Sequence, residues 1–451
     1  MVESRCATSA VVIGAGLAGL SAAVRLCDAR VRVTVLEKGT VPGGRVRRLA
    51  PGSGGRSAID FGQHLMLGCY RQTRAYAERL GTAARLVPVD GATPFVSGPG
   101  RFHPYRVGRL PSPLHALPGL FGLTHLPPAD RLGLGRAAVA AKIAVRIDPA
   151  GLDRRTAAEW LRRNGQGPQA IAGFWGPLVS ATLNAPVEGA SALLLATVID
   201  KGLFAAREDA VPVLPRGLLH DVLIEPAVAA VRAAGGDVRT AARAARVVTG
   251  PGGRVRAVVT AKGEEVAADV FVLAVPPWDA PGALDGIPVL EGVRRAATSL
   301  SSSPIVGVEM WFRRRWLAWP FAALLDSPVH WLFDHADGRG ARVSAVASHA
   351  TDLAATPSEE VAAIFREEVF RFFPEALEAG PVSTLVVKAR EATFAARPGQ
   401  HALRPACRTP VPNLWLAGDW TATGLPATIE GAVASGRTAA EAALAAVGGA
   451  R

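Results

Sequence analysis

Cysteine is scarce in this chain: there are four, Cys6, Cys27, Cys69 and Cys407, and no pair has CxxC spacing. That excludes a disulfide framework or a structural zinc site and points to a reducing compartment, the cytoplasm. The nine histidines form no HxxxH or HExxH pattern, so no metal is expected. Lysine is nearly absent: five of the 50 basic residues are lysine and the rest are arginine. The arginines are scattered in short pairs, and the longest run is Arg313-Arg314-Arg315. Without a clustered basic module nucleic-acid binding is not expected, and the skew toward arginine reads as coding bias. No apolar run reaches the roughly 18 residues a bilayer span needs. The best internal stretch, Ala190 to Ile199, stops at Asp200-Lys201. The three tyrosines (70, 76 and 105) all lie in the first quarter of the chain.

What is present is 451 residues, 49% of them hydrophobic, with a formal charge of +12. That length allows two or three domains and a sizeable core. The apolar content excludes global disorder, and 48 glycines without a triplet period exclude collagen. The apolar segment 10–24 follows an arginine and imitates a secretory signal, but its glycines carry a spacing that a signal does not need.

That spacing is the most informative feature. Ala10-Val-Val-Ile13 reads as a buried parallel strand. Gly14-Ala-Gly16-Leu-Ala-Gly19 follows at once, then a small-residue helix through Cys27 and a second strand from Val31 to Leu36. A GxGxxG alone is weak evidence among so many glycines. Between a strand and a helix, with Glu37 placed 23 positions after Gly14, it is a dinucleotide fingerprint. Gly14 allows the tight turn, Gly16 lets backbone approach a pyrophosphate, and Gly19 lets the helix lie close on the sheet. The helix N-terminus offers free N–H groups to the phosphates. Glu37 can accept both hydroxyls of an adenosine ribose.

Pro42-Gly43-Gly44-Arg45 comes next, then Asp60-Phe-Gly-Gln-His64. The glycine pair admits a second phosphate or a flavin edge, and Arg45 can neutralise it. Near the other end, Asn413–Ala417 reads as a buried strand ending at Gly418-Asp419, and a helix is expected over 431–446. Between these ends the sequence predicts helices over 132–147, 156–164, 218–234 and 358–373 and an apolar helical stretch within 170–206. It predicts a β-meander of four strands, 237–239, 245–249, 255–260 and 266–275. Further strands are expected at 305–313, 329–333, 342–348 and 382–388. Residues 94–128, rich in Pro, Gly and Leu, show no regular pattern.

Together these residues carry a family resemblance. The GG-R element after the ribose acid resembles the amine oxidase and phytoene desaturase superfamily. Asp60-Phe-Gly-Gln-His-Leu65, Gly68 and Tyr70-Arg71 look like a stretch of hydroxysqualene dehydroxylases, the squalene-associated FAD-dependent desaturase-like proteins of bacterial hopanoid pathways. Leu416–Val433 is similar to that family's C-terminal signature, and Ala181-Thr-Leu-Asn-Ala-Pro186 and Val270–Pro277 also fit. The resemblance implies an α/β fold: a Rossmann-like FAD-binding domain of parallel sheet plus β-meander, with an interleaved α+β substrate-binding domain. The expected division is 1–93, 211–283 and 390–451 for FAD, with 94–210 and 284–389 for substrate. It implies FAD as cofactor, a long-chain isoprenoid alcohol, hydroxysqualene, as substrate, and reductive loss of its hydroxyl. The implied cofactor-binding residues are Gly14, Ala15, Gly16, Leu17, Ala18, Gly19, Glu37, Lys38, Gly43, Gly44, Arg45, Gly62, Gln63, Val247, Gly418, Asp419, Thr428 and Ile429. Asp419 would accept from a ribityl hydroxyl, and the helix starting near Thr428 would aim its N-terminus at the flavin C2 carbonyl. His64 is the candidate acid, with Cys69 and Tyr70 as weaker ones.

Three other readings share part of this pattern. A carotenoid-type desaturase would have both FAD signatures and differ only in flanking residues such as Gln63-His64. An amine oxidase usually carries a lysine in a strand like Ser303–Phe312, where this chain has none, and the surroundings of Cys407 do not match a covalent flavin site. A non-enzymatic prenyl-lipid carrier would not need Asp419 and the flavin-edge helix. A bilayer-resident substrate implies a peripheral contact with the inner face of the membrane. Segment 110–128, with Leu120 and Phe121 and nearby Arg101, Arg106 and Arg109, is the expected patch. The electron donor is not readable.

Overall fold

A computed structural model describes residues 8–50, 58–335 and 341–448. Cys6 lies outside the described residues. The strand Ser9–Ile13 is buried along almost its whole length and lies at the centre of a five-stranded parallel sheet. Its neighbours are Arg32–Leu36 on one side and Val270–Leu273 on the other, with Asp237–Arg239 and Leu414–Leu416 at the edges. The register pairs Ile13 with both Leu36 and Leu273, so three strand ends converge at one point. The crevice beyond the carboxyl ends of such strands is where an open α/β sheet binds ligands. The first helix, Leu17–Asp28, packs against the last, Ile429–Gly448. They touch backbone to backbone, since a side chain on Gly436 would lie 2.0 Å from the Ala18 carbonyl.

The expected four-stranded meander has three strands, Ala244–Thr249, Val255–Thr260 and Glu265–Ala267. The chain then breaks at Ala268-Asp269 and enters the parallel sheet as Val270–Leu273. Asp269 makes the break useful: its carboxylate accepts from the backbone N–H of Ser9 (2.8 Å) and so fixes the start of the central strand. Asp237–Arg239 likewise belongs to the parallel sheet, not to the meander.

The second sheet has seven strands, in the order Pro381–Phe394, Ser302–Phe312, Ala341–Ser348, Trp331–Asp334, Phe321–Leu324, Ala92–Gly98 and Arg101–Arg106. All pair antiparallel except Phe321–Leu324 with Ala92–Gly98. The hairpin 92–106 falls in the segment without sequence pattern, because Pro94 and Pro104 mask its alternation. One face is covered by Ser358–Phe372, which buries Val361, Phe365, Val369 and Phe372. On the other face Phe95, Phe321, Trp331 and Phe333 share one core with a helical cluster. Its helix Ala157–Arg163 starts on the expected capping box, Thr156 with Glu159.

The apolar stretch within 170–206 is not one helix. It contains π-helical turns at Ile171–Trp175 and Ile199–Leu203, and it stops at Asn184, whose φ of +50° is left-handed. Pro186 prevents continuation, and Ser191 caps the next helix, Ala192–Val198. The expected 218–234 helix is similarly divided, by a π-helical turn at His220–Ile224 before Glu225–Ala233. Pro226 cannot donate to the Val222 carbonyl, which instead accepts from the Thr82 hydroxyl (2.8 Å).

Candidate active site

The crevice at the sheet's carboxyl end begins with Gly14. Its φ is +107°, and a Cβ there would meet the Ala274 carbonyl oxygen at 2.7 Å, so glycine is required for the turn. Gly19 is required for packing, since a Cβ would lie 1.9 Å from the Gly14 carbonyl. Gly16 faces open space, leaving the helix N-terminus bare. Glu37 is buried at the end of the second strand, and its carboxylate accepts from the backbone N–H groups of Ala15 (2.8 Å) and Gly39 (2.7 Å). A carboxylate has about four acceptor positions, so two remain for ribose hydroxyls.

Gly43 (φ +119°) and Gly44 (φ +55°) turn the chain back over this loop, and the Gly43 N–H donates to the Ala15 carbonyl. They deliver Arg45 to Asp419. The guanidinium donates to both carboxylate oxygens, at 2.8 and 2.7 Å, across 374 residues of sequence. Arg45 and Asp419, expected to touch a ligand independently, are each other's partners, because a buried carboxylate needs a counter-charge. Arg45 also donates to the Ala392 carbonyl (3.2 Å) and lies 6.0 Å from the Trp278 ring centroid. Asp419 is held from behind by Arg404, which donates to its carbonyl (2.7 Å), to the Leu425 carbonyl (2.6 Å) and to the Thr423 hydroxyl (2.8 Å). Burial pushes the Arg404 pKa down to about 10. The Gly418 N–H donates to Ser435 on the last helix, whose first turn is capped by Thr428 through the Gly431 N–H.

The 60–64 stretch crosses the same space. The Asp60 carboxylate accepts from the N–H groups of Leu219 (2.8 Å) and His220 (3.3 Å), and burial raises its pKa to about 6. His64 is half-buried, and its Nε2 is buried with no hydrogen-bond partner among the described residues. Desolvation pushes its pKa down to about 4, so it is neutral at pH 7. Glu430 accepts from the N–H groups of Gln72 and Thr73 and from the Thr73 hydroxyl, and so caps the helix Arg71–Arg79.

These elements surround one cavity of about 1240 Å³. Gly14, Gly16, Leu17, Ala18, Glu37, Lys38, Gly43, Gly44, Arg45, Gly62, Gln63, His64, Gly418, Asp419, Thr428 and Ile429 all contribute to its wall. Three expected residues do not. The Ala15 N–H and carbonyl are engaged by Glu37 and Gly43, and Gly19 serves packing. Val247 is buried in the core against the parallel sheet, and Ala245, two residues earlier, reaches the cavity instead. Lys38 forms an ion pair with Asp279.

The cavity continues past His64 into the seven-stranded half, between Phe95, Tyr105, Phe174, Leu178, Phe321 and Trp331. Two polar groups there have no counterpart in the sequence expectations. Glu309 is buried in the strand Ser302–Phe312, paired with Arg342 and bonded to the Ser344 hydroxyl (2.7 Å). Ser180, on the helix Gly176–Leu183, shares a hydrogen bond of 2.9 Å with His349 Nε2. The Asn184 side-chain oxygen accepts from the His349 backbone N–H (2.6 Å), and its side-chain amide donates to the Thr393 hydroxyl (3.0 Å), next to the Ala392 that binds Arg45. Asn184 lies in the 181–186 motif, and asparagine is among the few residue types that take its left-handed backbone readily.

A profile of the flavin-containing amine oxidoreductases matches residues 17–444. The chain belongs to that family. It is a flavoenzyme, an oxidoreductase, and its cofactor is FAD. The residues fit that group: a bare helix N-terminus over an open glycine, a buried ribose acid, and a guanidinium–carboxylate pair beyond it. The chain is 33% identical, over 96% of its own length and 98% of the relative's, to a hydroxysqualene dehydroxylase of Rhodopseudomonas palustris. It is 26% identical to a zeta-carotene desaturase of Synechocystis, over 96% of each. Among solved structures, an oxidoreductase from Methanosarcina mazei superposes with a TM-score of 0.75 at 15% identity, over 96% of this chain and all of that one.

Proposed function

We propose that the chain is a hydroxysqualene dehydroxylase, reducing the allylic triterpene alcohol to squalene with loss of water, in hopanoid-type triterpene biosynthesis. The observation that carries this reading is the single cavity running from the flavin cradle into an apolar chamber in which the carboxylate is already neutralised. Glu309 is paired with Arg342, so this buried carboxylate is not free to hold an ammonium group. The strand that holds Glu309 has no lysine, which disfavours amine oxidation. The aromatic and branched walls instead suit a hydrocarbon chain. Greater identity to the dehydroxylase than to the desaturase, at equal coverage, favours the hydroxylated substrate.

FAD in its reduced form supplies the hydride that replaces the hydroxyl. The chain's own residues bind the cofactor at the positions named above, exclude water from the chamber and manage the proton the leaving hydroxyl requires. His64 is the candidate at that point. Its resting ring is neutral; taking up one proton from solvent forms the imidazolium, uphill at pH 7 because burial lowers its pKa, and that proton passes to the hydroxyl, which leaves as water and returns the ring to its neutral form. The substrate resides in a bilayer, so the enzyme works as a peripheral protein at the inner face of the cell membrane. No described helix is long and apolar enough to cross one.

The test offers hydroxysqualene to the anaerobically photoreduced flavoprotein and, in parallel, phytoene to the oxidised flavoprotein. Squalene formation with flavin reoxidation by the alcohol alone is expected. Absence of both, or reaction on phytoene, overturns the reading.

A further inference from the structure

Most helices at a protein surface turn their larger apolar residues inward. The helix Pro128–Ile147 does the reverse. Its buried residues are Leu134 and three alanines, 137, 138 and 141. Its exposed residues include Leu132 (70% exposed), Val139 (55%), Ile143 (53%) and Ile147 (75%). At 100° per residue these four fall within an arc of about 80°, opposite the buried face. Arg136 and Arg146 lie in or beside the same arc.

The preceding segment extends this surface. Leu110, Leu114, Leu117 and Phe121 are exposed, and Phe121 is 66% accessible. Leu120, expected beside Phe121 on the surface, is buried at 7% and belongs to the core. The two pieces are joined: Arg131, in the first turn of the helix, donates to the carbonyls of Leu126 (2.8 Å), Phe121 and Thr124 (both 3.4 Å).

The charge of the segment is one-sided. Residues 101–147 hold seven cations and one acid, Asp130, a net +6 that is half of the chain's +12. Among the described residues only Arg146 of these seven forms an ion pair, with Asp200. Arg101, Arg106 and Arg109 are exposed.

The inner side of the same layer is the cavity wall. Gly119 packs so closely on Tyr105 that a Cβ would lie 2.5 Å from its ring. His115 Nε2 bonds the Leu203 carbonyl (3.0 Å), and both Tyr105 and Leu203 line the cavity.

We infer that the outward face of 110–121 and of the helix Pro128–Ile147 docks on an anionic lipid bilayer, setting the cavity one layer of chain away from the hydrocarbon in which its substrate is dissolved. This deepens the functional reading above and rests on it for the substrate. The exposed apolar stripe enters the acyl boundary, and the unpaired arginines meet lipid phosphates.

The test is flotation of the full-length holoenzyme with vesicles of phosphatidylcholine, with and without phosphatidylglycerol. Flotation with the anionic vesicles, weakened by salt, is expected. The variant Leu132→Glu/Val139→Glu/Ile143→Glu should reduce the bound fraction about tenfold or more, and Arg106→Glu/Arg109→Glu should remove the preference for phosphatidylglycerol. Both variants should keep wild-type flavin absorbance per chain and wild-type activity on hydroxysqualene in detergent micelles. Both should lose activity on hydroxysqualene held in vesicles. Failure of the wild type to float overturns the inference, as does unchanged flotation of the triple variant. A triple variant that floats normally but sediments as a smaller species identifies the face as a contact between copies, which also overturns it. Wild-type inactivity on micellar substrate, with flotation intact, instead refutes the dehydroxylase reading alone.

Discussion

The two halves of the cavity are built on different principles. In the parallel-sheet half the wall is backbone and charge, where Gly14 tolerates no side chain, Glu37 is tied by two N–H groups, and Arg45 and Asp419 meet in a two-point contact. In the seven-stranded half the wall is side-chain bulk, with polar groups confined to a few closed networks such as Glu309–Arg342–Ser344. The first kind of wall selects a ligand by the positions of its phosphates and hydroxyls. The second selects by volume and dryness, and tolerates substitution as long as both are kept. One chain thus holds a fixed cofactor beside a flexible hydrocarbon.

The largest expected effect strikes the first half. Arg45→Met leaves the Asp419 carboxylate buried without a counter-charge, at a cost of about 3 kcal/mol after allowance for the partial exposure of Arg45. The flavin should be lost with the pair. Absorbance per chain at the flavin wavelengths and the melting temperature measure both. A yellow variant of unchanged stability would show that the two halves differ less than their geometry indicates.

Next is His64→Gln, at the junction of the two walls. Flavin content should stay at the wild-type level while the rate of squalene formation falls about 100-fold, the scale of a lost proton-transfer group. Loss of flavin together with rate would place His64 in the cofactor wall.

Smaller still is Phe174→Ala in the second half. Phe174 is buried against Tyr105 and Phe95 and lines the cavity. Because Phe174 already borders an open cavity, the change should destabilise by only about 2 kcal/mol, below the usual cost of an enclosed Phe→Ala, and raise KM for the hydrocarbon, with flavin affinity unaltered. A change in flavin affinity would contradict the separation of the walls.

The same difference decides what the sequence reveals. Gly14, Gly16, Gly19, Glu37 and Gly43-Gly44-Arg45 are readable because a backbone turn or a phosphate permits few residue types at each position. The pairing of Arg45 with Asp419 was not readable, since it joins residues that only the fold brings together. Arg404 and Glu430 stayed hidden for the same reason: one supports the Asp419 loop and the other caps a helix 357 or more residues away in sequence. In the second half Ser180, Glu309 and His349 belong to no motif. The hairpin 92–106 was obscured by its prolines, and the reversed face of 128–147 is visible only once its buried side is known. Where residue type dictates function it shows in the sequence, and where packing dictates it, it shows only in the fold.

Acid titration gives the finest comparison. A histidine whose folded pKa is depressed takes up its proton in the unfolded chain first, so the stability it confers is present above about pH 6.5 and is lost as pH falls toward the folded value. His64, at about 4, acts this way in the first half, while His330 (about 4) and His335 (about 3) do so in the second. Carboxyls with raised pKa act in the opposite sense, because the folded state binds the proton first and gains stability as pH falls. Asp60, at about 6, offsets His64, aided by Glu430, whose burial also raises it. The second half has only Asp334 to set against its histidines, among which burial also lowers His103, His125 and His349, against His220 beside Asp60 in the first half, and Glu368, held low by Arg371 and Ser327, adds to the loss. Between pH 6.5 and 4 the seven-stranded half should therefore loosen first. Hydrogen exchange at pH 5 should show earlier deuteration in 329–335 and 341–348 than in 9–13 and 32–36, relative to pH 7.5. Asp60→Asn removes the offset by up to about 3 kcal/mol and should bring the two regions together. If both regions exchange alike in the wild type, burial of His330 and His335 does not control acid stability, and the contrast between the halves is confined to how each holds its ligand.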